Sequence, residues 1–597
     1  MSRFVSKYWK VLATLTFGVA VFLFWWLVYP AMTAYQEQFQ LFLMDGVYIG
    51  QLLSVPDGLA RCIGEYFVQF YINHALGALI LAVALALLQW ITWQLMASVT
   101  RSAPANRENG FRQEGKHTHY ALSFLPSLLL CLVLGDESVL LTFVVAILLA
   151  EAAMWLYELV PDRFRTYYLI ISIPIVYWLA GPTVLMLATY SALRMWQTNT
   201  SKVKALGCSL LTVVYAIACI LVSSLLLPYP LERLFQGIDY YRFTEVYFGL
   251  MGILMIVCVL VPTVMRWLPS PSKPQQRLVI GLGEAVVLIV AFLLLRPLLF
   301  DTRKYEVMEY EYLVRCNNWS AIITKAEQKK PDLPMSVCAT NLALGMKGQL
   351  GERAFEFYQN GIQGLLPDFE RNFSTLTLTG EVFWHLGLVN TAQRYAFETM
   401  EAIPNYAKSC RCIKRLAETN LVNGQYEVAR KYLKMLEKTI CYKKWAQRTM
   451  LLLGDEKAIN ANPVYGKIRQ LRLQEDLLFG EKEIDKMMGQ LMMHNPKNGL
   501  AMQYLLLCPL LERDINKFMY YMTFVDGLKL GYRPRICQEA VVFAFAQRNQ
   551  QPPQGYVNQL VMNNFNDFLR AYNNGGASSD ALASFRNTTW YYLMVGK

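Results

Sequence analysis

The stretch RLVIGLGEAVVLIVAFLLLRPLLFD, residues 277–301, divides this chain into two unlike halves. From Leu278 to Leu295 Glu284 is the one ionisable side chain, and as a helix those residues rise roughly 27 Å, most of the ~30 Å hydrocarbon core of a bilayer. Before it lies a succession of similar apolar runs; from Asp301 onward the sequence is polar enough to be soluble.

Working back from residue 277, comparable runs fall near residues 11–32, 74–98, 119–135, 138–157, 166–180, 182–196, 204–228 and 245–267, so that about nine candidate spans precede Phe300. Around Ala180-Gly181-Pro182 the pair is open to a second reading as one broken helix dipping in and out, since Gly and Pro release backbone groups that need a protected setting. The run from Val11 to Met32 follows Arg3, Lys7 and Lys10. It is too long for a signal-peptide core and lacks a small-residue cleavage site, so it reads as an uncleaved first span. A hydrophobic share of 55% over 597 residues also excludes an ordinary soluble protein.

The net charge of +12 does not call for nucleic acid, because the basic residues border apolar segments, where they set membrane orientation. With a cytoplasmic N-terminus, one side receives Arg3, Lys7, Lys10, Arg101, Arg107, Arg112, Lys116, Arg163, Arg165, Arg194, Lys202, Lys204, Arg266, Lys273 and Arg277. The opposite short loops receive Arg61, Arg233 and Arg242, fifteen against three. An odd number of spans then sends residues 301–597 to the extracytoplasmic side, the periplasm of a Gram-negative bacterium. The expected protein is an all-α, multi-pass inner-membrane helix bundle (residues 1–300) followed by a periplasmic helical domain (residues 301–597).

That second half carries helical spacing and a repeat. Gly348-Gln349-Leu350 leads to Ala354 and Phe355, Gly387-Leu388-Val389 to Ala392 and Tyr395, and Gly424-Gln425-Tyr426 to Ala429 and Tyr432; the glycines lie 39 and 37 residues apart. Helix-turn-helix units with Gly at the turn and Ala at the helix contact resemble tetratricopeptide-type repeats. His494-Asn495-Pro496 through Asp514 reads as a degenerate further copy.

Soluble-enzyme signatures are missing: the sequence has no GxxxxGK[ST], HExxH or GxSxG, and Gly281-Leu282-Gly283 opens an apolar span where helix packing explains it. Five histidines, with His117 and His119 in one loop and His74, His385 and His494 far apart, make no metal site. Twelve scattered cysteines read as core thiols; seven follow Phe300, so at least one of those is unpaired or bonded to another chain. Within the spans, Glu151 and Glu284 are costly in hydrocarbon and should face the bundle interior, a cavity or the interface, whereas Arg296 snorkels outward. An ion or proton path would use such groups.

The first extracytoplasmic loop, Thr33 to Asn73, is too apolar for a solvated loop and holds Glu37, Asp45, Asp57 and Glu65 among aromatic residues such as Tyr35, Phe39, Phe42, Tyr48 and Tyr66. Such segments lie along a membrane surface with rings at headgroup depth. A second loop, Pro228 to Phe243, brings Glu232, Arg233, Asp239 and Arg242 to the same side.

This layout resembles the polytopic GT-C glycosyltransferases, which use polyprenyl-phosphate-linked sugars, carry an acidic residue in the first extracytoplasmic loop and in some cases append a lumenal helical-repeat domain. The resemblance implies that Glu37 or Asp45 takes the general-base or divalent-cation position and that Arg233 and Arg242, with Asp239, meet a lipid phosphate. At finer detail Glu37-Gln38-Phe39-Gln40-Leu41-Phe42-Leu43, Pro56-Asp57-Gly58-Leu59-Ala60, Glu65-Tyr66-Phe67, Gln69-Phe70 and Gly348-Gln349-Leu350-Gly351-Glu352-Arg353 resemble an uncharacterised family of multi-pass proteins from Bacteroidota, a domain of unknown function. That likeness spans nearly the whole chain and implies a second glycine at the position held by Asp57.

Two functions therefore stand side by side, with a transporter as a third. One is a lipid-linked glycosyltransferase of cell-envelope biogenesis; the other is a non-enzymatic membrane scaffold whose periplasmic repeat binds a partner protein or peptide. The membrane lipid is a partner in both.

Overall fold

The structure, a computed structural model, describes residues 2–101, 119–199, 201–242, 249–268, 273–404, 407–473, 483–578 and 580–596. Arg107, Arg112, Lys116, His117 and Phe243, and the start of the run predicted at 245–267, lie outside the described residues. The chain forms two compact units: Met1–Tyr305 with the short segments Ile403–Cys410 and Lys438–Lys443, and Glu306–Ala402 with Arg411–Glu437 and Lys444–Lys597. Both are helical. Among the described residues the β-type pairing is one antiparallel bridge, Val139 to Tyr241.

The first unit contains α1 (Ser2–Leu23), α2 (Pro30–Glu37), α3 (Gly46–Leu53), α4 (Gly58–Val68), α5 (His74–Arg101), α6 (Leu125–Val133), α7 (Leu141–Leu159), α8 (Arg165–Ala180), α9 (Val184–Thr198), α10 (Lys202–Leu226), α11 (Leu231–Gln236), α12 (Gly249–Val264) and α13 (Pro274–Leu299). Among the described residues, six helical stretches are long and apolar enough to cross a membrane: Tyr8–Val28, His74–Thr100, Leu141–Leu159, Asp162–Thr198, Lys202–Leu226 and Gln275–Leu299. Tyr120–Val133 and Gly249–Val264 are shorter apolar helices. The first of these starts as a 3-10 turn and ends at Leu134-Gly135, which trims it below full length.

α5 packs against α1, α6, α7 and α12, and its Leu81, Leu85, Leu88 and Leu95 are buried. α13 shows the reverse, with Leu294 and Leu298 68% and 77% exposed. An apolar surface that extensive is stable against lipid rather than water.

Contacts at the helix ends fix directions within the bundle. Glu158, at the end of α7, pairs with Arg194 near the end of α9 at 2.7 Å, and Arg165 at the head of α8 comes within 3.8 Å of the same carboxylate. The α8–α9 junction at Gly181 instead abuts Asp57 and Tyr240. Thus α8 and α9 run antiparallel on either side of Ala180-Gly181-Pro182, with both outer ends at Glu158. Lys10, Trp93 and Tyr120 gather at the Glu158 end, with Lys10 Nζ 4.0 Å from the Trp93 ring. At the opposite end the Tyr29 and Phe300 rings stack 4.6 Å apart.

Several polar groups inside the bundle are matched. Glu151 is fully buried and accepts the Thr92 hydroxyl at 2.9 Å, and Glu284 meets His119 Nδ1 at 2.5 Å. Arg194, counted from sequence among cytoplasmic loop charges, sits inside α9, 1% exposed, forked on Glu158 and bonded to Gln197. The bidentate pair offsets the desolvation that would otherwise drive the guanidinium into water.

In the second unit, the glycines of the sequence repeat all sit at one kind of turn. Gly348, Gly387 and Gly424 have φ of 72°, 91° and 78°, left-handed values that glycine adopts without Cβ strain. At each, the following N–H donates back across the turn: Gln349 to Leu344 O, Leu388 to Phe383 O and Gln425 to Asn420 O, at 2.8, 2.9 and 2.8 Å. This closes the helix C-terminus. The helices so joined are Phe373–Leu386 with Val389–Glu401 and Cys410–Val422 with Tyr426–Glu437, while the helix after Gly348 stops at Arg353 after one turn. Ala354, Ala392 and Ala429 are buried. The degenerate copy makes the same turn without glycine: Arg513 has φ 62° and Asp514 donates to Pro509 O at 2.9 Å. The twelve cysteines are thiols, seven of them buried.

Candidate functional site

The loop Thr33 to Asn73 folds as α2, an extended stretch to Asp45, then α3 and α4. The turn into α4 is tight. A Cβ on Gly58 would lie 2.4 Å from Leu52 O, and one on Gly64 would lie 2.8 Å from Thr142 N, so α4 approaches both α3 and α7 at backbone distance. Asp57 precedes this helix at φ 61°, a conformation that favours glycine and that Asp is among the few residues to tolerate. The glycine implied by the family likeness is thus answered by an aspartate in a glycine-like conformation.

The side chain of Asp57 turns inward, 1% exposed. Its Oδ2 accepts the backbone N–H groups of Ile238 and Asp239 at 3.0 and 3.4 Å. One turn along α4, Arg61 donates to Glu65 at 2.8 Å and to Asp239 at 2.6 Å. Glu65 in turn accepts the Tyr48 hydroxyl at 2.5 Å. Tyr240 donates to Ala180 O, which seats the 237–242 loop on the α8–α9 junction. These contacts gather α3, α4, the second loop and the junction around one chain of alternating charges.

Burial governs its electrostatics. It pushes the Asp57 carboxyl well above the ordinary carboxylate range, and the negative charge of Asp239 adds to the push. Glu65 is raised for the same first reason, with Arg61 opposing. Burial works against the Arg61 charge, but Asp239 and Glu65 hold it above its ordinary value. Tyr48 is pushed up by burial and by the neighbouring Glu65.

The residues singled out from sequence fall in three places. Asp239 belongs to the cluster just described. Arg233 and Arg242 border it. Arg233 is buried and donates to Ile238 O at 2.7 Å, and the Arg242 guanidinium lies 3.5 Å over the Phe39 ring. Arg242 is lowered by burial, with Tyr35 as a hydrogen-bonding neighbour. Glu37 and Asp45 meet the later chain instead. Glu37 is buried and accepts the Tyr442 hydroxyl at 3.1 Å. Asp45 caps α3 by accepting Val47 N–H at 2.9 Å and pairs with Lys438, which together hold its carboxyl below the usual range. Met44 N–H donates to Lys438 O, and Ile440 N–H to Gln69 Oε1, at 2.8 and 3.1 Å, so Lys438–Lys443 is stitched onto the first loop.

Sequence reasoning noted Arg61 as a loop charge and Tyr48 as a loop aromatic without giving either a site role, and it did not pick out Lys438 or Tyr442. The Arg61–Glu65 spacing of four on a helix was a readable signal; the two partners from beyond residue 437 left none. Among the described residues, no group of three or more His, Cys, Asp or Glu gathers to hold a metal ion.

No curated protein and no solved structure matches the chain. A family model covers almost all of it: the chain belongs to DUF6057, a family of unknown function, whose model matches residues 7–596.

Proposed function

We propose that the protein is a non-enzymatic scaffold of the bacterial inner membrane, in which a nine-pass bundle holds a tetratricopeptide-like unit in the periplasm, where it binds a partner protein of envelope assembly. The observation that carries this reading is the engagement of the loop carboxylates. Glycosyl transfer from a polyprenyl-phosphate sugar needs a carboxylate that reaches an acceptor hydroxyl or holds a cation. In this chain Asp45 is tied to Lys438 and to its own helix, Glu37 to Tyr442, Glu65 and Asp239 to Arg61, and Asp57 to two backbone N–H groups. Such roles suit a rigid loop layer that stiffens the outer face of the bundle.

Nine crossings are supported by the way helix ends alternate between the Lys10–Glu158 end and the Tyr29–Gly181 end, with the short α6 and α12 counted as passes. The excess of Lys and Arg at the first end supports its assignment to the cytoplasm. The tetratricopeptide type is supported by the recurring left-handed turns at Gly348, Gly387 and Gly424, and a partner surface by exposed apolar side chains such as Leu451, Met493 and Tyr520.

The test is complementation in cells lacking the chain. With Glu37→Gln and Asp45→Asn combined, lipid-linked and surface glycans measured by mass spectrometry should stay at the wild-type level, and a photo-crosslinking residue at Tyr520 should trap one defined envelope protein. Loss of glycan transfer by the double variant, at wild-type protein abundance, would overturn the scaffold in favour of the transferase.

A further inference from the structure

The helices Tyr426–Glu437 and Lys443–Met450 fall in a stretch, residues 430–448, that holds seven Lys and Arg against one acid, Glu437. The first helix buries Ala429, Leu433 and Leu436, and the second buries Ala446 and Thr449. A helix turns about 100° per residue, so Lys431 and Lys434 come out opposite the first buried strip and Lys444 and Arg448 opposite the second. Leu451 follows one turn after Arg448 and is 82% exposed. Gln447 Nε2 donates to Glu437 at 3.1 Å and ties the two helices together at this exposed surface.

Elsewhere in the second half of the chain, bases cross-pair with acids: Lys325 with Glu309 and Lys329 with Glu306, each at 2.6 Å, and Lys486 with Glu483 at 2.5 Å. On this ridge the pairing runs out. Arg430 is taken by Glu427 at 3.5 Å and Lys438 by Asp45, and Glu437 is engaged by the neutral Gln447. Lys431, Lys434, Lys444 and Arg448 are exposed and pair with no carboxylate among the described residues. Like charges held on one surface repel one another, and an acidic ligand relieves that repulsion.

Given the scaffold role, on which this step rests, we infer that the ridge docks an acidic segment of the partner protein, its carboxylates on Lys431, Lys434, Lys444 and Arg448 and an apolar side chain against Leu451. A lipid surface is the poorer match, because the outer sides of the two helices carry Val428 and Leu451 rather than the apolar stripe with which a helix enters a bilayer.

Fluorescence anisotropy of the detergent-purified full chain with a labelled peptide of eight glutamates and two leucines tests this. Binding should weaken as salt rises. Lys431→Gln, Lys434→Gln, Lys444→Gln and Arg448→Gln combined should weaken it by about tenfold, since exposed ion pairs contribute a factor of about two each. The same charge removed elsewhere, by Lys330→Gln, Lys347→Gln, Lys497→Gln and Arg586→Gln, should leave it unchanged, and Leu451→Ser should weaken this peptide but not one of glutamates alone. Equal loss in the two fourfold variants, no loss in the ridge variant, or displacement of the peptide by phosphatidylglycerol in mixed micelles would overturn the docking surface. Failure of the scaffold role shows separately, as lost glycan transfer in the Glu37→Gln, Asp45→Asn variant, which leaves the ridge as it is.

Discussion

Arg61 Nη1 stands 2.6 Å from Asp239 Oδ2, joining two loops 178 residues apart in sequence, while its Nε holds Glu65 on the same helix. Both carboxylates are buried, and this guanidinium is the cation that faces both. Arg61→Ala should cost about 3–5 kcal/mol, the usual consequence of stranding a buried charge, and Arg61→Lys should recover part of it because an ammonium cannot fork to two acceptors in the same plane. Thermal unfolding of the detergent-solubilised protein checks both. Equal melting of Arg61→Ala and wild type would mean that the loop layer does not rest on this pair.

Asp57 makes a pH prediction of definite sign. Its folded carboxyl is raised above its ordinary value by burial and by Asp239, so the folded state holds the proton more tightly than the unfolded chain. The stability it contributes is full below the ordinary carboxylate range and is lost as pH rises through the folded value. Asp57→Asn keeps an acceptor for the Ile238 and Asp239 N–H groups and tolerates φ near 61°. At neutral pH it should be at least as stable as the wild type, and its stability should fall less between acid and neutral pH. Unfolding followed across that range decides it; a strongly destabilised Asp57→Asn would contradict the assignment.

In the second unit His385 lies near Glu381, which is held by Arg415 at 2.7 Å and Arg411 at 3.3 Å. Burial pulls the imidazole down to about 4 from 6.5, despite the favourable charge of Glu381. A base with a depressed folded value loses stability as pH falls from the unfolded value toward the folded one, here from about 6.5 to about 4. The loss should be on the order of 3 kcal/mol. His385→Gln should remove that acid step. Glu381, lowered to about 2 because the arginines outweigh its burial, would add its own loss only below the ordinary carboxylate range.

Two glycines of the repeat separate conformational strain from crowding. Gly424 at φ 78° has nothing within 4 Å of an added Cβ, whereas at Gly387, φ 91°, an added Cβ would lie 2.7 Å from Leu471 Cβ and 2.8 Å from Leu471 O. Gly424→Ala should cost roughly 1 kcal/mol through backbone conformation. Gly387→Ala should cost at least 1–3 kcal/mol more through the clash with a neighbouring backbone. Circular dichroism melts of the two variants would show it, and equal costs would argue that the Leu471 segment yields freely.

Much of this protein is legible without coordinates because the signals are local. A run such as Leu278–Leu295 must bury its backbone polar groups in a helix if it meets lipid, and the Gly348, Gly387 and Gly424 spacing marks helix ends because a left-handed turn there favours glycine. Composition alone also rules out an ordinary soluble enzyme. What the sequence could not decide was the state of its charges. Asp45 and Glu37 read as available carboxylates until Lys438 and Tyr442 are folded against them, Arg194 reads as a loop cation until α7 brings Glu158 to it, and Arg61 reads as a topological marker until Asp239 arrives. Hydrophobic periodicity acts over a few residues and survives in one dimension; the pairing of these charges is set by contacts from 36 to 405 residues apart, and only the tertiary structure supplies those.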